Sequence, residues 1–208
     1  MAEGGRDWND RYATGQTPWD SGAPSLEMQR VVRDRAIAPR RMLEIGCGTG
    51  TNAVWFAQQG FEVTAVDLVP LAIEKAVARA KGAGVKVRFE AANLLDAAVT
   101  SQLAAGGPFE FIFDRGVYHC LREENQPAIL RAIHQLTGRG SLYLQLTGNA
   151  NDPNPPGQGP PRVKAEELLA ELGPSFELVQ LREFNFDGVT LDGAAFSPLA
   201  WSALWRRK

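Results

Sequence analysis

The chain has 208 residues, of which 44% are hydrophobic and 22% charged, and its formal net charge is −2 at pH 7. This composition is typical of a soluble domain that buries a core without disulfides or a structural metal. The charge balance disfavours binding to nucleic acid or to anionic lipid. Cys47 and Cys120 lack metal-ligand spacing, and no run reaches the roughly 18 apolar residues of a membrane span. We therefore expect a cytoplasmic, reduced protein with no metal, nucleic-acid or membrane partner.

Strand and helix patterns alternate from about residue 42 onward. Strands are predicted where short apolar runs end in glycine or a polar residue, at 42–47, 62–67, 86–89, 109–113 and 141–146. Helices are predicted between them, at 51–59, 70–80 and 124–136, with Pro70 where a proline starts a helix. This alternation indicates a parallel sheet covered by helices on both faces.

The pattern changes after the fifth strand. Residues 148–162 are rich in Asn, Pro and Gly and predict an unusually long loop, followed by a helix at 164–172. Strands at 176–186 and 199–206 then follow each other with no helix between them. We expect these two strands to form an antiparallel hairpin at one edge of the sheet.

A glycine-rich segment, Glu44–Gly50, lies where the first strand gives way to a helix. A dinucleotide fingerprint, Gly-x-Gly-x-x-Gly, would need its third glycine at the position of Thr51, but here the third glycine is Gly50. The leading carboxylate of Glu44 suits a cationic sulfonium better than a pyrophosphate. Asp67 ends the second strand, where a carboxylate can accept the two ribose hydroxyls. The pattern predicts a site for a sulfonium cofactor.

This segment and Asp67 resemble the cofactor motif of class I S-adenosylmethionine-dependent methyltransferases. The resemblance implies an α/β fold with a Rossmann-like, seven-stranded, mostly parallel sheet, helices on both faces and an antiparallel C-terminal strand. It implies a single methyltransferase domain over 1–208, with an N-terminal lid or helical arm at 1–38 and the Rossmann-like core at 39–208. The expected cofactor-binding residues are Trp19, Glu44, Gly46, Cys47, Gly48, Gly50, Asp67, Leu68, Asn93, Leu94 and Asp114. Asn93 also fits the simpler role of a turn residue.

The N-terminal segment indicates which branch of this family the chain resembles. Trp8, Arg11 and Tyr12 precede the run Gly-Gln-Thr-Pro-Trp-Asp-Ser-Gly-Ala-Pro at 15–24. This run resembles the thiopurine and thiol/halide methyltransferase superfamily, where it caps the cofactor, and Gly-Pro-Pro-Arg at 159–162 is similar to a stretch of the thiol/halide enzymes. The resemblance implies that Trp19 closes over the cofactor and that the 148–162 loop lines the acceptor pocket. The alternative for Trp8 and Trp19 is that they only anchor the arm.

The segment Asp114–His119 follows the fourth strand, at the sheet edge where ligands bind. It lacks the Pro-Pro pair that adenine and some protein amine methyltransferases carry here, which disfavours amine and nucleic-acid acceptors. The catalytic candidates are Tyr118, His119 and Asp114, although His119 also fits a packing role and Asp114 a cap on the strand end. The expected substrate-binding residues are Trp8, Tyr12, Arg115, Tyr118 and Arg162.

Three functions remain open at this point. The favoured one is S-adenosylmethionine-dependent S-methylation of a small thiol or similar soft nucleophile, because a free thiol has a pKa of about 8.5 and needs little help to ionise. The second is O- or N-methylation of a small metabolite, and the third is a non-catalytic cofactor-binding module. We expect a monomer or a weak dimer that uses no metal.

Overall fold

The structure is a computed structural model that describes residues 7–155, 159–187, 189–191 and 194–208. In chain order its elements are α1 (Trp8–Thr14), α2 (Leu26–Asp34), β1 (Arg41–Ile45), α3 (Thr51–Gln58), β2 (Glu62–Asp67), α4 (Pro70–Gly82), β3 (Arg88–Ala91), α5 (Ala97–Ala104), β4 (Phe109–Arg115), α6 (Tyr118–Leu136), β5 (Thr137–Asn149), β6 (Arg162–Val163), α7 (Ala165–Leu172), β7 (Phe176–Asn185), β8 (Val189–Leu191), β9 (Ala194–Phe196) and β10 (Leu199–Arg207).

One twisted sheet organises these elements, with the strand order β3-β2-β1-β4-β5-β10-β7. The first five strands pair in parallel, and β10 runs antiparallel to both of its neighbours, β5 and β7. The α/β architecture with an antiparallel C-terminal strand, expected from the sequence, is confirmed. The strand order reverses between β1 and β4, which is where doubly wound sheets bind ligands.

Apolar residues cover both faces of the sheet. Side chains that follow each other along a strand point to opposite faces. Along β4, Phe111 and Phe113 join one buried cluster and Ile112 joins another, and along β1 Met42 and Leu43 divide in the same way. The near-continuous apolar runs that predicted buried strands arise because both faces are packed.

Helix α6 begins earlier than the sequence pattern predicts. The expected start was residue 124, whereas the helix begins at Tyr118 and is interrupted at Asn125, which has φ −158° and ψ 82°. Pro127 stands two residues later and cannot supply a backbone N–H. The apolar periodicity therefore marked only the part of α6 beyond this kink. The first part of the helix carries residues of the candidate site.

The 148–162 segment is shorter as a loop than expected. Strand β5 continues to Asn149, and β6 pairs with its end in the register Gly148↔Arg162. Helix α5 and the β8–β9 hairpin were not predicted at all. Residues 1–6 of the expected arm and 156–158 of the expected loop lie outside the described residues.

Within the described ranges, no helix is both long enough and apolar enough to cross a lipid bilayer.

Candidate active site

A cavity of about 420 Å³ opens at the carboxyl ends of β1, β2 and β4. The arm covers it from one side, and residues 159–161 together with Phe186, Val189 and Phe196 close it from the other. It divides into two halves. The cofactor half lies over the β1–α3 turn and the end of β2, and the acceptor half lies over the start of α6.

The β1–α3 turn exposes bare backbone to the cofactor half. Gly46 and Gly48 line the cavity with φ of +63° and +54°, a conformation that side-chain-bearing residues rarely adopt. A Cβ added to Gly46 would lie 2.1 Å from Cγ2 of Val117. Cys47 lies between the two glycines, lines the cavity and donates its backbone N–H to the Val66 carbonyl. A ligand can therefore approach the main chain closely here.

Gly50 has a different role from the one expected. It is not among the residues that line the cavity. Its added Cβ would lie 2.8 Å from the Cβ of Ala76 and 3.3 Å from Cζ of Phe89. Gly50 is needed for the close packing of α3 against α4 and β3, which corrects the expectation that it contacts the cofactor.

Asp67 lines the cofactor half at the end of β2. Its two carboxylate oxygens accept backbone N–H bonds, Oδ2 from Gly48 at 2.8 Å and Oδ1 from Val69 at 3.0 Å. Burial raises its pKa, and these donors act in the opposite direction. Each oxygen keeps a second lone pair, so the carboxylate can still accept a hydroxyl while it fixes the glycine turn.

Glu44 lies behind the glycine turn and does not line the cavity. Asn52, which does, donates its Nδ2 to Oε1 of Glu44 at 3.2 Å. The other oxygen, Oε2, is buried without a hydrogen-bond partner among the described residues. Burial raises the pKa of Glu44 to about 8. The expected direct contact with the cofactor is corrected, because the Glu44 carboxylate contacts Asn52 behind the turn and does not face the cavity. A cation bound on the turn would still favour the ionised form of Glu44 through space.

Leu68, Asn93 and Leu94 all line the far end of the cofactor half. Asn93 Oδ1 accepts the backbone N–H of Leu95 at 2.9 Å, which is the turn role that the sequence also allowed. Leu94 is buried and belongs to the core cluster beneath the cavity. Leu68 and Leu94 give this part of the cavity apolar surface, which suits the face of an adenine ring.

Three aromatic side chains of the arm cover the cavity. Trp8 and Trp19 meet edge to face with ring centroids 5.5 Å apart, and Tyr12 meets Trp19 at 6.2 Å. All three line the cavity. The Arg11 guanidinium lies 5.4 Å from the Trp19 ring centroid. The arm thus contributes an aromatic roof, and Arg11 was quoted in the sequence pattern but not expected in the site.

Hydrogen bonds fasten this roof to the core. The Thr49 hydroxyl of the glycine turn donates to Oδ2 of Asp20 at 2.7 Å. Arg115 donates through Nη1 to the Trp19 carbonyl at 3.1 Å, and Lys75 donates to the Tyr12 carbonyl at 3.3 Å. The segment at Trp19 and Asp20 is therefore held from both halves of the cavity.

Arg115 is the cation of the acceptor half. Its side chain is only 14% exposed and lies over the Phe186 ring, 5.2 Å from the centroid. Nη2 donates to the Asp187 carbonyl at 2.6 Å and lies 3.7 Å from the Asp187 carboxylate. Nε is buried without a hydrogen-bond partner among the described residues. Burial lowers the pKa of Arg115, but a guanidinium stays protonated in proteins.

His119 lines the acceptor half from the first turn of α6 and is buried. Its Nδ1 accepts the backbone N–H of Gly148 at 3.0 Å, and the Thr147 hydroxyl lies 2.9 Å from the same nitrogen. A backbone N–H can only donate, so Nδ1 must be unprotonated and the neutral ring carries its proton on Nε2. This contact orients the imidazole as a hydrogen-bond donor.

Asp114 and Tyr118 lie outside the cavity wall. The Asp114 carboxylate caps α6 by accepting the N–H groups of Val117 and Tyr118, both at 2.9 Å, and it also accepts the Tyr143 hydroxyl at 3.1 Å. Burial raises its pKa to about 7. The Tyr118 hydroxyl donates to Glu171 on α7. These contacts correct two expectations. Asp114 was expected to bind the cofactor and to take part in catalysis, and Tyr118 was expected to take part in catalysis and to bind the substrate. The structure gives both residues structural roles instead.

Arg162 also lies outside the cavity wall. Its guanidinium donates to the carbonyls of Asp152, Asn154 and Pro155 at 3.1, 2.9 and 3.2 Å. Arg162 therefore organises the segment after β5 and does not contact an acceptor, which corrects the sequence-based expectation. The neighbouring Pro160 and Pro161 do line the cavity.

Three further residues line the cavity although no pattern in the sequence predicts them, namely Phe186, Val189 and Phe196. These residues follow no motif, and the hairpin that carries two of them was not predicted. Their apolar type is equally common in a core. Their place in the cavity wall depends on how the hairpin packs against residues 159–161.

The model of the thiopurine S-methyltransferase family matches residues 4–196 of this chain. A 2-heptyl-1-hydroxyquinolin-4(1H)-one methyltransferase of Mycobacteroides abscessus is 25% identical over 152 residues, which are 73% of this chain and 64% of that protein. A probable thiol methyltransferase 2 of Arabidopsis thaliana is 32% identical over 68 residues, which are 33% of this chain and 30% of that protein. The chain thus spans less than two thirds of these curated relatives.

Solved structures share the fold over almost the whole chain. One, solved for the conversion of a disulfide bond into a thioacetal group during echinomycin biosynthesis, has a TM-score of 0.79 at 23% identity and covers 96% of this chain and 91% of its own. The 1,6-didemethyltoxoflavin-N1-methyltransferase of Burkholderia thailandensis has a TM-score of 0.71 at 20% identity and covers 97% and 86%. These likenesses establish the Rossmann-like fold, and the family match establishes the lineage. The chain belongs to the thiopurine S-methyltransferase family of class I S-adenosylmethionine-dependent methyltransferases.

Proposed function

We propose that the protein transfers the methyl group of S-adenosylmethionine to a small molecule whose nucleophile is anionic, with a thiolate as the preferred nucleophile. The observation that carries this proposal is the position of Arg115, a buried cation on the acceptor half of the cavity, facing a half suited to a sulfonium cofactor.

The residues of the cofactor half fit S-adenosylmethionine. Gly46 and Gly48 expose backbone to the cavity, and an added Cβ would lie 2.1 Å from Cγ2 of Val117 or 3.0 Å from the Tyr12 hydroxyl. Asp67 can hold the ribose hydroxyls. A bound sulfonium would favour the ionised form of Glu44 behind the turn, against the burial that raises the pKa of this carboxyl to about 8. When bound, the cofactor supplies an electrophilic methyl group on a sulfonium. The aromatic roof of Trp8, Tyr12 and Trp19 excludes water, and its ring faces attract a cation.

Arg115 supports an anionic acceptor because it is held in one orientation before the substrate arrives. Two of its nitrogens donate to the carbonyls of Trp19 and Asp187, and the Asp187 carboxylate 3.7 Å away also fixes the guanidinium. A buried guanidinium that binds an anionic sulfur or oxygen also lowers the pKa of that acceptor. The fixed side chain positions the nucleophile, and most of the rate enhancement would come from this positioning.

The hydrogen bonds of His119 favour an acceptor that ionises without a strong base. Proton uptake at Nδ1 would break its bond with the Gly148 N–H. His119 is therefore better suited to donate a hydrogen bond than to remove a proton. A thiol, with its pKa of about 8.5, needs no obligatory general base.

An acidic hydroxyl is the second candidate acceptor. The mycobacterial relative is named for a hydroxyquinolone and the plant relative for a thiol. Both nucleophiles can be anionic, and Arg115 suits either one. A non-catalytic binding module is disfavoured, because an acceptor half with its own buried cation has no use in a protein that binds only the cofactor.

A panel of acceptors tests the proposed function directly. The protein is incubated with S-adenosylmethionine and a thiol, a phenol, an amine or iodide, and S-adenosylhomocysteine release is measured. The proposal expects the highest kcat/KM with the thiol. Activity with the phenol alone would replace the thiol by a hydroxyl, and cofactor binding without release from any acceptor would leave only a binding module.

We expect S-adenosylmethionine to protect the arm against hydrogen exchange. The arm is fastened through Thr49 and Arg115, which flank the two halves of the cavity, so a ligand that orders these halves should also order the arm. Exchange over residues 8–24 is compared with and without the cofactor, and exchange in the β5 core serves as the internal reference. Equal protection of 8–24 in both states would contradict a closing lid.

His119→Ala is expected to lower kcat with a thiol by only about tenfold, less than the roughly 10²–10⁴ of an obligatory general base. The rate should still rise with pH as thiolate forms. Tyr118→Phe is the matched control, since its hydroxyl binds Glu171 away from the cavity and its loss should leave kcat unchanged. A loss of a thousandfold with a flattened pH profile in His119→Ala would mean that a general base is essential and that the acceptor is a hydroxyl of high pKa.

A further inference from the structure

Two segments far apart in the sequence meet on the acceptor side of the cavity. Gly159 packs so closely on the hairpin that an added Cβ would lie 2.9 Å from Cε1 of Phe196. Pro160, Pro161 and Phe196 line the cavity, as does Val189. We call these four lining residues the acceptor wall. Val189 and Phe196 are directly opposite each other in the β8–β9 ladder, so their side chains share one face of the hairpin.

Hydrogen bonds hold both parts of the acceptor wall in place. At the base of the hairpin, the Phe186 N–H donates to the Pro198 carbonyl at 3.0 Å and Asn185 Nδ2 donates to the Ser197 carbonyl at 2.7 Å. On the loop side, Oδ2 of Asp152 accepts the N–H of Leu199 at 3.0 Å. The Asp152 carbonyl accepts from Arg162, which also donates to the carbonyls of Asn154 and Pro155. The wall is therefore built by fixed backbone and has a defined shape.

The wall and Arg115 divide the acceptor half by polarity. The wall presents only apolar side chains, while Arg115 contributes a guanidinium that lies over Phe186. A ligand that satisfies both must carry its charge at one end and an apolar body at the other. A small inorganic anion satisfies Arg115 but leaves the apolar wall in contact with water.

We propose that Phe196 is a specificity-determining residue, which selects acceptors by the size of the apolar body attached to their anionic nucleophile. This inference rests on the proposed function, since it concerns the same site. Phe196 ends β9 and packs against Gly159, so its ring fills the space where the hairpin meets residues 159–161. Removing the ring opens space between the hairpin and residues 159–161.

Binding of unreactive anions tests this proposal without any methyl transfer. Acetate, benzoate and 2-naphthoate carry the same charge on bodies of increasing size. Their affinities are measured by calorimetry with the protein saturated with S-adenosylhomocysteine. For the wild-type protein, benzoate should bind more tightly than acetate, because an apolar body gains contact with the wall.

Phe196→Ala should weaken benzoate binding by about tenfold, a typical effect of removing apolar contact from a pocket. Acetate affinity should change by less than about twofold, and the preference should move towards 2-naphthoate, whose larger body fills the space. Phe196→Leu should retain most of the benzoate affinity. Phe61→Ala is the matched control, since Phe61 is buried in the core against Phe56 and Phe111 and does not line the cavity. It should lower the melting temperature without changing the ratio of the three affinities.

If Phe196→Ala lowered the affinity for all three anions by the same factor, or changed none of them, the ratio of affinities would stay the same and the proposal would be overturned. Absence of benzoate and 2-naphthoate binding to the wild-type complex would overturn it as well. Failure of the proposed function gives a different result. In that case no acceptor releases S-adenosylhomocysteine from bound S-adenosylmethionine, while the Phe196→Ala variant still shifts the affinity ratio as expected.

Discussion

Arg115→Ala is expected to lower kcat/KM for a thiol acceptor by about a hundredfold or more. A charge-assisted hydrogen bond contributes roughly 1.5–3 kcal/mol, and removal of a preorganised donor from a reaction centre costs about 10²–10³ in rate. The substitution also removes the donors to the Trp19 and Asp187 carbonyls. Steady-state kinetics with a thiolate and with a neutral amine separate these effects, since only the first depends on the positive charge.

Arg115→Lys is the matched variant for this prediction. Lysine keeps the charge but cannot donate to two carbonyls in the planar geometry of a guanidinium. It should recover part of the activity on the thiol while the arm remains less protected against hydrogen exchange. A different result would contradict this prediction: Arg115→Ala lowers the activity with the thiol and with the amine by one factor, and the affinity for S-adenosylmethionine falls by that same factor. Arg115 would then act only by holding the arm. The proposal of an anionic acceptor would lose its main support.

Asp67→Ala is expected to weaken S-adenosylmethionine binding by about ten- to a hundredfold. The carboxylate performs two tasks at once. It can accept the ribose hydroxyls, and it already accepts the Gly48 and Val69 N–H groups that shape the glycine turn. The loss therefore combines a missing ligand contact with a less ordered turn. Isothermal titration calorimetry with S-adenosylmethionine measures the effect.

Two further variants make this test specific. Asp67→Asn keeps the shape of the side chain, but its amide has one acceptor oxygen, so it should fall between the wild type and Asp67→Ala. Asp96→Ala removes another carboxylate that caps a helix, since Asp96 accepts the Ala98 N–H at the start of α5. It should reduce stability by about 1 kcal/mol and leave cofactor affinity unchanged. Unchanged affinity in a folded Asp67→Ala protein would remove Asp67 from the site.

The cofactor half could be anticipated from the sequence because its parts are close together in the chain. A strand, a glycine turn and a helix follow each other between Arg41 and Gln58, and the next strand ends at Asp67. In a parallel sheet, consecutive strands bring their carboxyl ends to the same edge. Local spacing thus fixes where Gly46, Gly48 and Asp67 lie. Gly50 shares the same motif, yet its role in packing depends on α4 and β3, which no local spacing describes.

The acceptor half depended on tertiary structure because distant segments assemble it. The acceptor wall joins Pro160 and Pro161 to the β8–β9 hairpin, and the two parts meet where Gly159 packs on Phe196. Apolar residues of this kind carry no signal that separates a pocket wall from a core. Arg162 illustrates the converse, since a motif placed it near the acceptor while three backbone carbonyls hold it elsewhere.

Sequence alone determined the α/β fold, the antiparallel C-terminal strand and the strand ends that carry the cofactor half, because periodicity and glycine spacing act over short distances along the chain. Only the tertiary structure decided between the neighbours Tyr118 and His119. Successive residues of a helix point about 100° apart, so one of the pair faces the cavity and the other faces the core. The Asp114 cap sets where α6 begins and therefore its rotation, which directs His119 to the cavity and Tyr118 to Glu171.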